Sequence, residues 1–307
     1  MTQALVITDV GPRDGLQSQS AMLATADKLR LIQALFDAGL PSVEATSFVA
    51  PKAVPQMADA DQLLPRVSPP GQARVSALVP NLRGLERAMT AGAREIAVVL
   101  SSTDTMNRRN IGMDLRTATD VSIATLQRAS DAALHCRAYL AVAFECPFEG
   151  ATPMDRVVRL ALEMEQAGAR EIVIADTIGA AAPAQVQRLT EQLLRAGIAS
   201  ERIGMHLHDT RGMALANAWA ALQLGVRRFD ASIGGLGGCP FAPGAAGNLA
   251  TEDLVLMARQ CGFDTGVDIQ ALVDTVDMVE QLVGYPVGGR GARWLRSRRG
   301  QSSVVQE

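Results

Sequence analysis

This sequence predicts an α/β fold, a (β/α)8 TIM barrel with extra C-terminal helices, and three observations carry that reading. One phrase recurs along the 307 residues: an amphipathic helical stretch ends in a small residue and glycine, then passes into an apolar run. It appears as Asp37-Ala-Gly-Leu-Pro-Ser-Val-Glu, Thr90-Ala-Gly-Ala-Arg-Glu-Ile, Gln166-Ala-Gly-Ala-Arg-Glu-Ile, Arg195-Ala-Gly-Ile and Gln223-Leu-Gly-Val. Glycine at these points relieves the left-handed cap of a helix, and a strand follows within a few residues. Eight apolar runs alternate with helices in this way, which suits a closed barrel better than an open doubly wound sheet. No Gly-x-Gly-x-x-Gly follows the first run, so a dinucleotide-binding sheet is disfavoured.

In chain order the strands are expected near 4–10, 42–47, 74–79, 95–100, 137–144, 171–176, 203–208 and 229–233. Helical patterns separate most of them, at 25–38, 82–91, 114–134, 153–167, 183–196 and 212–224. Pro65 to Gly71 reads as a loop rather than a domain linker. After the eighth strand come helical stretches at 251–261 and 268–284 and an arginine cluster from Arg290 to Arg299, read as a solvated, partly disordered tail. The expectation is one barrel domain over 1–296 and a disordered tail over 297–307.

A chain that is 48% hydrophobic and 20% charged can bury a large core. Its net charge of −3 gives no support for nucleic-acid binding. No apolar run approaches the ~18–20 residues that span a bilayer, and the opening Met-Thr-Gln-Ala-Leu-Val-Ile-Thr-Asp lacks the basic and apolar regions of a signal peptide. The four cysteines match no metal-ligand spacing, and their scatter suits a reducing cytoplasm. The expected location is therefore cytoplasmic.

Polar residues gather where the strands are expected to end, the face on which barrel active sites are built. The first strand runs into Gly11-Pro-Arg13-Asp14-Gly15, the second carries Glu44, Thr46 and Ser47, the fifth meets Glu145-Cys146-Pro147, and the sixth ends in Asp176-Thr177. Only three histidines occur, and two of them, His206 and His208, lie two positions apart in the seventh strand. Alternation in a strand turns both imidazoles to one face, an arrangement that invites a metal. Gly234-Gly-Leu-Gly-Gly-Cys239-Pro-Phe-Ala-Pro-Gly-Ala-Ala-Gly-Asn248 is too rich in glycine for a strand or helix and reads as a functional loop.

Two imidazoles with Asp14 as carboxylate and Asn248 as a further carbonyl donor form a mixed nitrogen and oxygen set with room for water. That set suits Mg²⁺ or Mn²⁺ more than Zn²⁺, since thiolates are missing. Arg13 cannot ligate a cation, but its fixed planar charge can neutralise a developing oxyanion. Glu44 stands open between an ion-pair partner of Arg13 and a direct role, and Asp176 between substrate contact and ordering the ligands. Cys136 and Cys261 read as packing thiols, Cys146 as a shape-filling one, Met205 and Met213 as core filling, and His135 as a residue of the stability face.

These motifs resemble the 3-hydroxy-3-methylglutaryl-CoA lyase family, within a wider group of metal-dependent lyases and Claisen-type synthases on this barrel. The match spans about residues 5 to 285. It rests on Val10-Gly-Pro-Arg13-Asp14-Gly-Leu-Gln17, Glu44-Ala-Thr-Ser47-Phe-Val, Cys146-Pro-Phe-Glu-Gly, Asp176-Thr-Ile-Gly, His206-Leu-His-Asp-Thr and Gly234 through Asn248. The resemblance implies a divalent cation held by Asp14, His206, His208 and Asn248, with Arg13 supporting an enolate and Cys239 on a mobile loop over the acyl-CoA. It implies substrate contacts from Arg13, Glu44, Ser47, Asn110, Asp176 and Thr177, with Arg13, Asp14, His206 and Cys239 as the catalytic set. His206 or Asp14 serves as base and Cys239 as final acid in such a scheme, and the sequence leaves these roles open.

The implied reaction is retro-Claisen cleavage of a tertiary 3-hydroxyacyl-CoA, first of all 3-hydroxy-3-methylglutaryl-CoA to acetyl-CoA and acetoacetate, as in leucine degradation, by a homodimer. Three positions depart from the family pattern: Ser20 replaces a lysine, Phe148 a tyrosine, and Val173 a serine three residues before Asp176. Citramalyl-CoA or a longer-branched 3-hydroxyglutaryl-CoA therefore stays open as substrate, ahead of a synthase or aldolase of the same group.

Overall fold

Eight parallel strands close on themselves in the computed structural model, which describes residues 3–238 and 247–298. They are β1 (Val6–Asp9), β2 (Ser42–Ser47), β3 (Arg74–Leu78), β4 (Glu95–Ser101), β5 (His135–Ala141), β6 (Glu171–Asp176), β7 (Ile203–Leu207) and β8 (Arg228–Ala231), with β8 pairing back onto β1. Closure leaves none of these eight strands with an unpaired edge. Around them run α1 (Thr25–Asp37), α2 (Leu82–Thr90), α3 (Asp104–Ile111), α4 (Leu115–Asp131), α5 (Met154–Gln166), α6 (Pro183–Arg195), α7 (Ala214–Gln223) and α8 (Thr251–Gln260), followed by α9 (Ile269–Val283) and α10 (Arg290–Ser297). The expected barrel and its alternating helices are present. No described helix is long and apolar enough to cross a membrane.

The hydrophobic core lies between strands and helices. Ile7, Val43, Ile96, Leu140, Ile172 and Ile174 from the strands pack with Leu31, Leu35, Leu85, Leu126, Leu160 and Leu189 from the helices, all at most 2% exposed. Burying each such side chain contributes about 1.5–3 kcal/mol. Local signals set the helix ends. Asn81, Asp114 and Asp268 accept backbone N–H groups of the first turns of α2, α4 and α9, and Gly112 and Gly284 take left-handed angles that stop α3 and α9.

Inside the barrel the side chains are unusually polar for this architecture, whose interior normally holds bulky branched residues. Arg137 of β5 is the largest fully buried side chain. Its Nη2 donates to Glu171 at 2.9 Å and to Asp230 at 2.6 Å, and its Nη1 donates to the Tyr139 hydroxyl at 3.0 Å. A side chain at Gly204 would come within 2.8 Å of Glu171 Oε1, so the buried ion pair occupies the space that glycine leaves.

Four expectations are corrected. The fifth strand ends at Ala141 rather than 144, because Val142 turns the chain with φ of +49°. That conformation is strained for a β-branched residue, and two hydroxyls brace it: Val142 N–H donates to Thr177 Oγ1 at 2.8 Å and Thr152 Oγ1 donates to Val142 O at 2.7 Å. Met213 is 44% exposed, because it sits in the turn that leaves the seventh strand end. Cys261 is exposed at the C-terminal cap of α8, where the chain swings outward into Gly262.

The fourth correction concerns the arginine cluster. Its residues 290–297 form α10 instead of a solvated tail. Asp253 accepts the N–H groups of Arg290 and Gly291 at 2.8 and 2.7 Å, capping the helix. Arg296 pairs with Asp277 and Glu280 of α9, and Ala292 and Leu295 are buried.

Candidate metal and active site

The chain beyond β1 closes a π-helical turn, Gly11–Gly15, in which the N–H groups of Asp14 and Gly15 both reach back to Val10 O. Such wide turns favour functional sites because they re-aim side chains within one strand end. Gly15 lies so close to Leu236 that a Cβ there would sit 2.9 Å from its side chain. Arg13 and Asp14 are thereby held over the C-terminal mouth of the barrel, where β7 presents His206 and, one residue past its end, His208.

A second close approach brings in Asn248. Leu249 N–H donates to Leu207 O and Asp209 N–H to Gly247 O, so the chain returning after Gly247 runs beside the end of β7. His208 and Asn248 form an antiparallel bridge there. Gly237, at φ of +126°, makes room for this: a Cβ would lie 2.4 Å from Asn248 Nδ2.

Asp14, His206 and His208 offer ligand atoms that all lie within 4.8 Å of one another. His206 Nε2 is 3.3 Å from His208 Nε2 and 4.0 Å from Asp14 Oδ2. Two imidazoles each about 2.1 Å from one cation and at right angles to each other stand ~3 Å apart, so the spacing fits shared coordination. Asn248 Nδ2 donates to Asp14 Oδ2 at 2.8 Å and to Leu236 O at 2.9 Å, while its Oδ1 is buried with no partner among the described residues. A buried carbonyl oxygen left unpaired beside two imidazoles and a carboxylate is a fourth donor. These residues therefore fit a divalent cation.

The electrostatics agree with that reading. Burial opposes ionisation of Asp14, but Arg13, with His206 and His208, outweighs it and holds the carboxyl below its usual range. Burial and the neighbouring charge of His206 push His208 down to about 4, leaving a neutral imidazole with a free lone pair. Burial also disfavours the charged form of His206, yet the Asp230 hydrogen bond and Asp14 prevail and raise it.

Asp230 is the residue that sequence reasoning missed. It stands on β8 in register with His206, accepts from His206 Nδ1 at 3.3 Å, from Tyr139 OH at 2.6 Å and from Arg137, and lies far below the usual carboxylate range. Burial opposes that shift and Arg137 drives it. With Nδ1–H directed at Asp230, Nε2 of His206 keeps its lone pair for a cation. The one available signal was strand alternation, which puts Asp230 on the inward face.

Arg13 lies beside this cluster, 5% exposed. Its Nε donates to Glu44 Oε2 at 2.5 Å and its Nη1 to Asp14 Oδ1 at 2.6 Å. Glu44 is thus the ion-pair partner of Arg13, and its Oε1 is left without a protein partner. Burial raises the Glu44 carboxyl, with Arg13 opposing.

The other expected site residues make no hydrogen bond to the cluster among the described residues. Ser47 is buried at the end of β2 with an unpartnered hydroxyl. Asp176 spends both oxygens on the N–H groups of Ala180 and Ala181, ordering the loop after β6, and burial raises it to about 6 against those bonds. Thr177 braces Val142. Asn110 is exposed on α3 and makes no hydrogen bond to the cluster. Cys239 lies outside the described residues.

Of the three departures from the family pattern, Ser20 is exposed. Arg109 stacks over the Phe148 ring, 4.3 Å from its centroid. Val173 packs with Ala97 and Tyr139 in the barrel interior.

Comparison with known proteins agrees with this geometry. The chain matches the HMGL-like family over residues 4–279. It is 42% identical to hydroxymethylglutaryl-CoA lyase YngG of Bacillus subtilis, covering 95% of this chain and 98% of that one. It is 41% identical to (R)-citramalyl-CoA lyase of Chloroflexus aurantiacus, with 93% of each covered. A lyase structure from Acinetobacter baumannii, solved with coenzyme A and 3-methylmalate, superposes with a TM-score of 0.90 at 37% identity over 94% of each chain. The HMGL-like family is divalent-metal dependent, and a strand-end cluster of Asp14, His206 and His208 on a barrel of this descent identifies the chain as a member of the hydroxymethylglutaryl-CoA lyase family of carbon–carbon lyases.

Proposed function

We propose that this protein cleaves a tertiary 3-hydroxyacyl-CoA, 3-hydroxy-3-methylglutaryl-CoA above all, to acetyl-CoA and acetoacetate. The observation that carries the reading is the convergence of Asp14, His206, His208 and the unpartnered Asn248 carbonyl beside the buried Arg13 guanidinium. These four residues would hold Mg²⁺ or Mn²⁺, whose bound charge lowers the pKa of the substrate C3 hydroxyl.

The protein groups account for the remaining steps. Asp14, whose carboxylate keeps lone pairs beyond the one given to the cation, takes the hydroxyl proton, and the C2–C3 bond breaks to leave the oxo product and a thioester enolate. Arg13, fixed by Glu44 and Asp14, presents its charge to the developing enolate oxygen without reorganising, which is the most effective form of electrostatic stabilisation. Cys239 is the proposed donor of the proton that converts the enolate to the acetyl thioester. Ser47, with its free hydroxyl, is the proposed contact for the distal polar end of the substrate. The same reading includes a cytoplasmic homodimer, which sedimentation velocity checks.

A second substrate has specific support. Val173 brings an apolar side chain to the interior beside Tyr139, and the citramalyl-CoA lyase relative is as similar as the hydroxymethylglutaryl-CoA lyases. A panel of 3-hydroxyacyl-CoA thioesters, with and without chelator and with products identified by mass spectrometry, tests both. Chelator-sensitive release of acetyl-CoA and acetoacetate is expected. Cleavage confined to citramalyl-CoA would replace the first substrate, and no cleavage of any thioester would overturn the activity.

A further inference from the structure

One line of side chains inside the barrel begins at Glu44 and continues through residues that the chemistry above does not use. Glu44 of β2 is in register with Ser76 of β3, Ser76 with Glu95 of β4, and Glu95 with His135 of β5. Residues in register on neighbouring parallel strands point to the same face, and adjacent strands are about 4.8 Å apart. Because barrel strands tilt, a row that follows the hydrogen bonds runs obliquely down the barrel. This one starts at Glu44, bonded to Arg13, and ends at His135, whose side chain is 30% exposed.

Each of the four residues carries a buried polar atom with no partner among the described residues: Glu44 Oε1, Ser76 Oγ, Glu95 Oε1 and His135 Nδ1. His135 Nδ1 approaches Glu95 Oε2 only to 3.6 Å. Native proteins rarely leave such atoms unsatisfied, and polar interiors that the protein does not satisfy are satisfied by internal water. Four consecutive members of one row with the same deficit are not four separate accidents of packing.

We infer that Glu44, Ser76, Glu95 and His135 form a water-linked file that carries protons between the Arg13–Glu44 side of the active site and solvent at the N-terminal mouth of the barrel. The inference rests on the lyase reading for its purpose. Cleavage breaks an O–H bond at one group and forms a C–H bond from another, so no net proton is consumed. After each turnover the base holds one proton too many and the acid one too few. The surplus leaves Asp14 through water at Glu44 Oε1, the oxygen that Arg13 does not bind, and passes along the file to solvent at His135, each member taking one proton and passing one on, while the acid is reprotonated from solvent.

Charged groups face the file along its length. Arg74 lies 3.3 Å from Glu95 Oε2, and Arg137, Glu171 and Arg228 complete its surroundings. Burial raises Glu44, opposed by Arg13 and Arg137, and raises Glu95, opposed by Arg74, Arg137 and Arg228. Burial, then Arg74, holds His135 down at about 4, in the neutral form that accepts and releases a proton.

Ser76→Thr and Ser76→Val test the file, because the two side chains have nearly the same shape and only threonine keeps the hydroxyl. Crystal structures of the Mn²⁺-loaded enzyme should show ordered water bridging Glu44, Ser76 and Glu95 in the wild type and S76T, and a break in S76V. S76T should keep kcat within about twofold. S76V should lose at least about fivefold in kcat at unchanged KM and unchanged Mn²⁺ affinity, with an altered proton inventory in H₂O–D₂O mixtures. A dry row in the wild type, or identical kcat and inventory in S76V and S76T, would overturn the inference. If the wild-type enzyme cleaved no thioester the lyase reading would fall instead, while the water positions would still decide the hydration of the row.

Discussion

Asp230 Oδ2 stands 3.3 Å from His206 Nδ1 across the β7–β8 pair, and the same carboxylate receives the buried Tyr139 hydroxyl and the Arg137 guanidinium. His206 is therefore oriented by a group that touches neither cation nor substrate. Loss of such an outer partner typically weakens metal affinity 10–100-fold. Asp230→Asn should weaken Mn²⁺ binding by about that factor while the barrel remains folded, as titration calorimetry and circular dichroism would show. Unchanged affinity would remove Asp230 from the site.

His208→Ala takes away one of two imidazole nitrogens that stand 3.3 Å apart. Metal binding and turnover should be lost together, since His208 Nδ1 has no partner among the described residues that would make it structural. Stoichiometric Mn²⁺ binding by this variant, measured by equilibrium dialysis, would refute the four-residue site.

Arg13→Lys keeps the positive charge and gives up the fork that bonds Glu44 and Asp14 at once. The variant should bind Mn²⁺ normally and lose ~10²-fold or more in kcat, the scale seen when a preorganised oxyanion donor is removed. A near-normal kcat would make Arg13 a structural residue only.

Asp9 and Glu252 predict how stability depends on pH. Burial raises Asp9 from 3.8 to about 7 and Glu252 from 4.5 to about 7, in each case against the hydrogen bonds they accept. Between those values the folded protein binds more protons than the unfolded chain, so stability is greatest below the unfolded pKa and is lost as pH rises through the folded one. The effect is on the order of a few kcal/mol per group. Calorimetry of the metal-free protein should show Tm falling between pH 5 and 8, with a shallower fall in Asp9→Asn.

Much of this architecture could be read along the chain because the signals that encode it are local. Glycine after each helix, apolar runs of strand length and the two-residue spacing of His206 and His208 all act within a few positions. Asp14 and Asn248 were legible because turn chemistry marks both segments. Asp230, Arg137 and Glu171 were not, because their pairing spans up to 93 positions and appears only when the barrel closes. Thr177 and Asp176 look like site residues by position, yet their side chains are spent on backbone that only the folded loop brings near. The helix at 290–297 was hidden for a similar reason: arginine-rich sequence reads as solvated until Asp253, Asp277 and Glu280 arrive beside it.

Glu252 has one further consequence. Its two carboxylate oxygens take the N–H of Gly234, at the root of the glycine loop, and the N–H of Gly289, just ahead of α10, while Gly288 N–H donates to Gly234 O. One buried carboxyl thus bolts the last described helix to the segment that leads toward Asn248. A deletion from Gly284 onward would remove no ligand and no strand, yet it would strip two of the three hydrogen bonds that hold this junction. Trimming the C-terminus of this enzyme is active-site engineering, whatever its distance in sequence suggests.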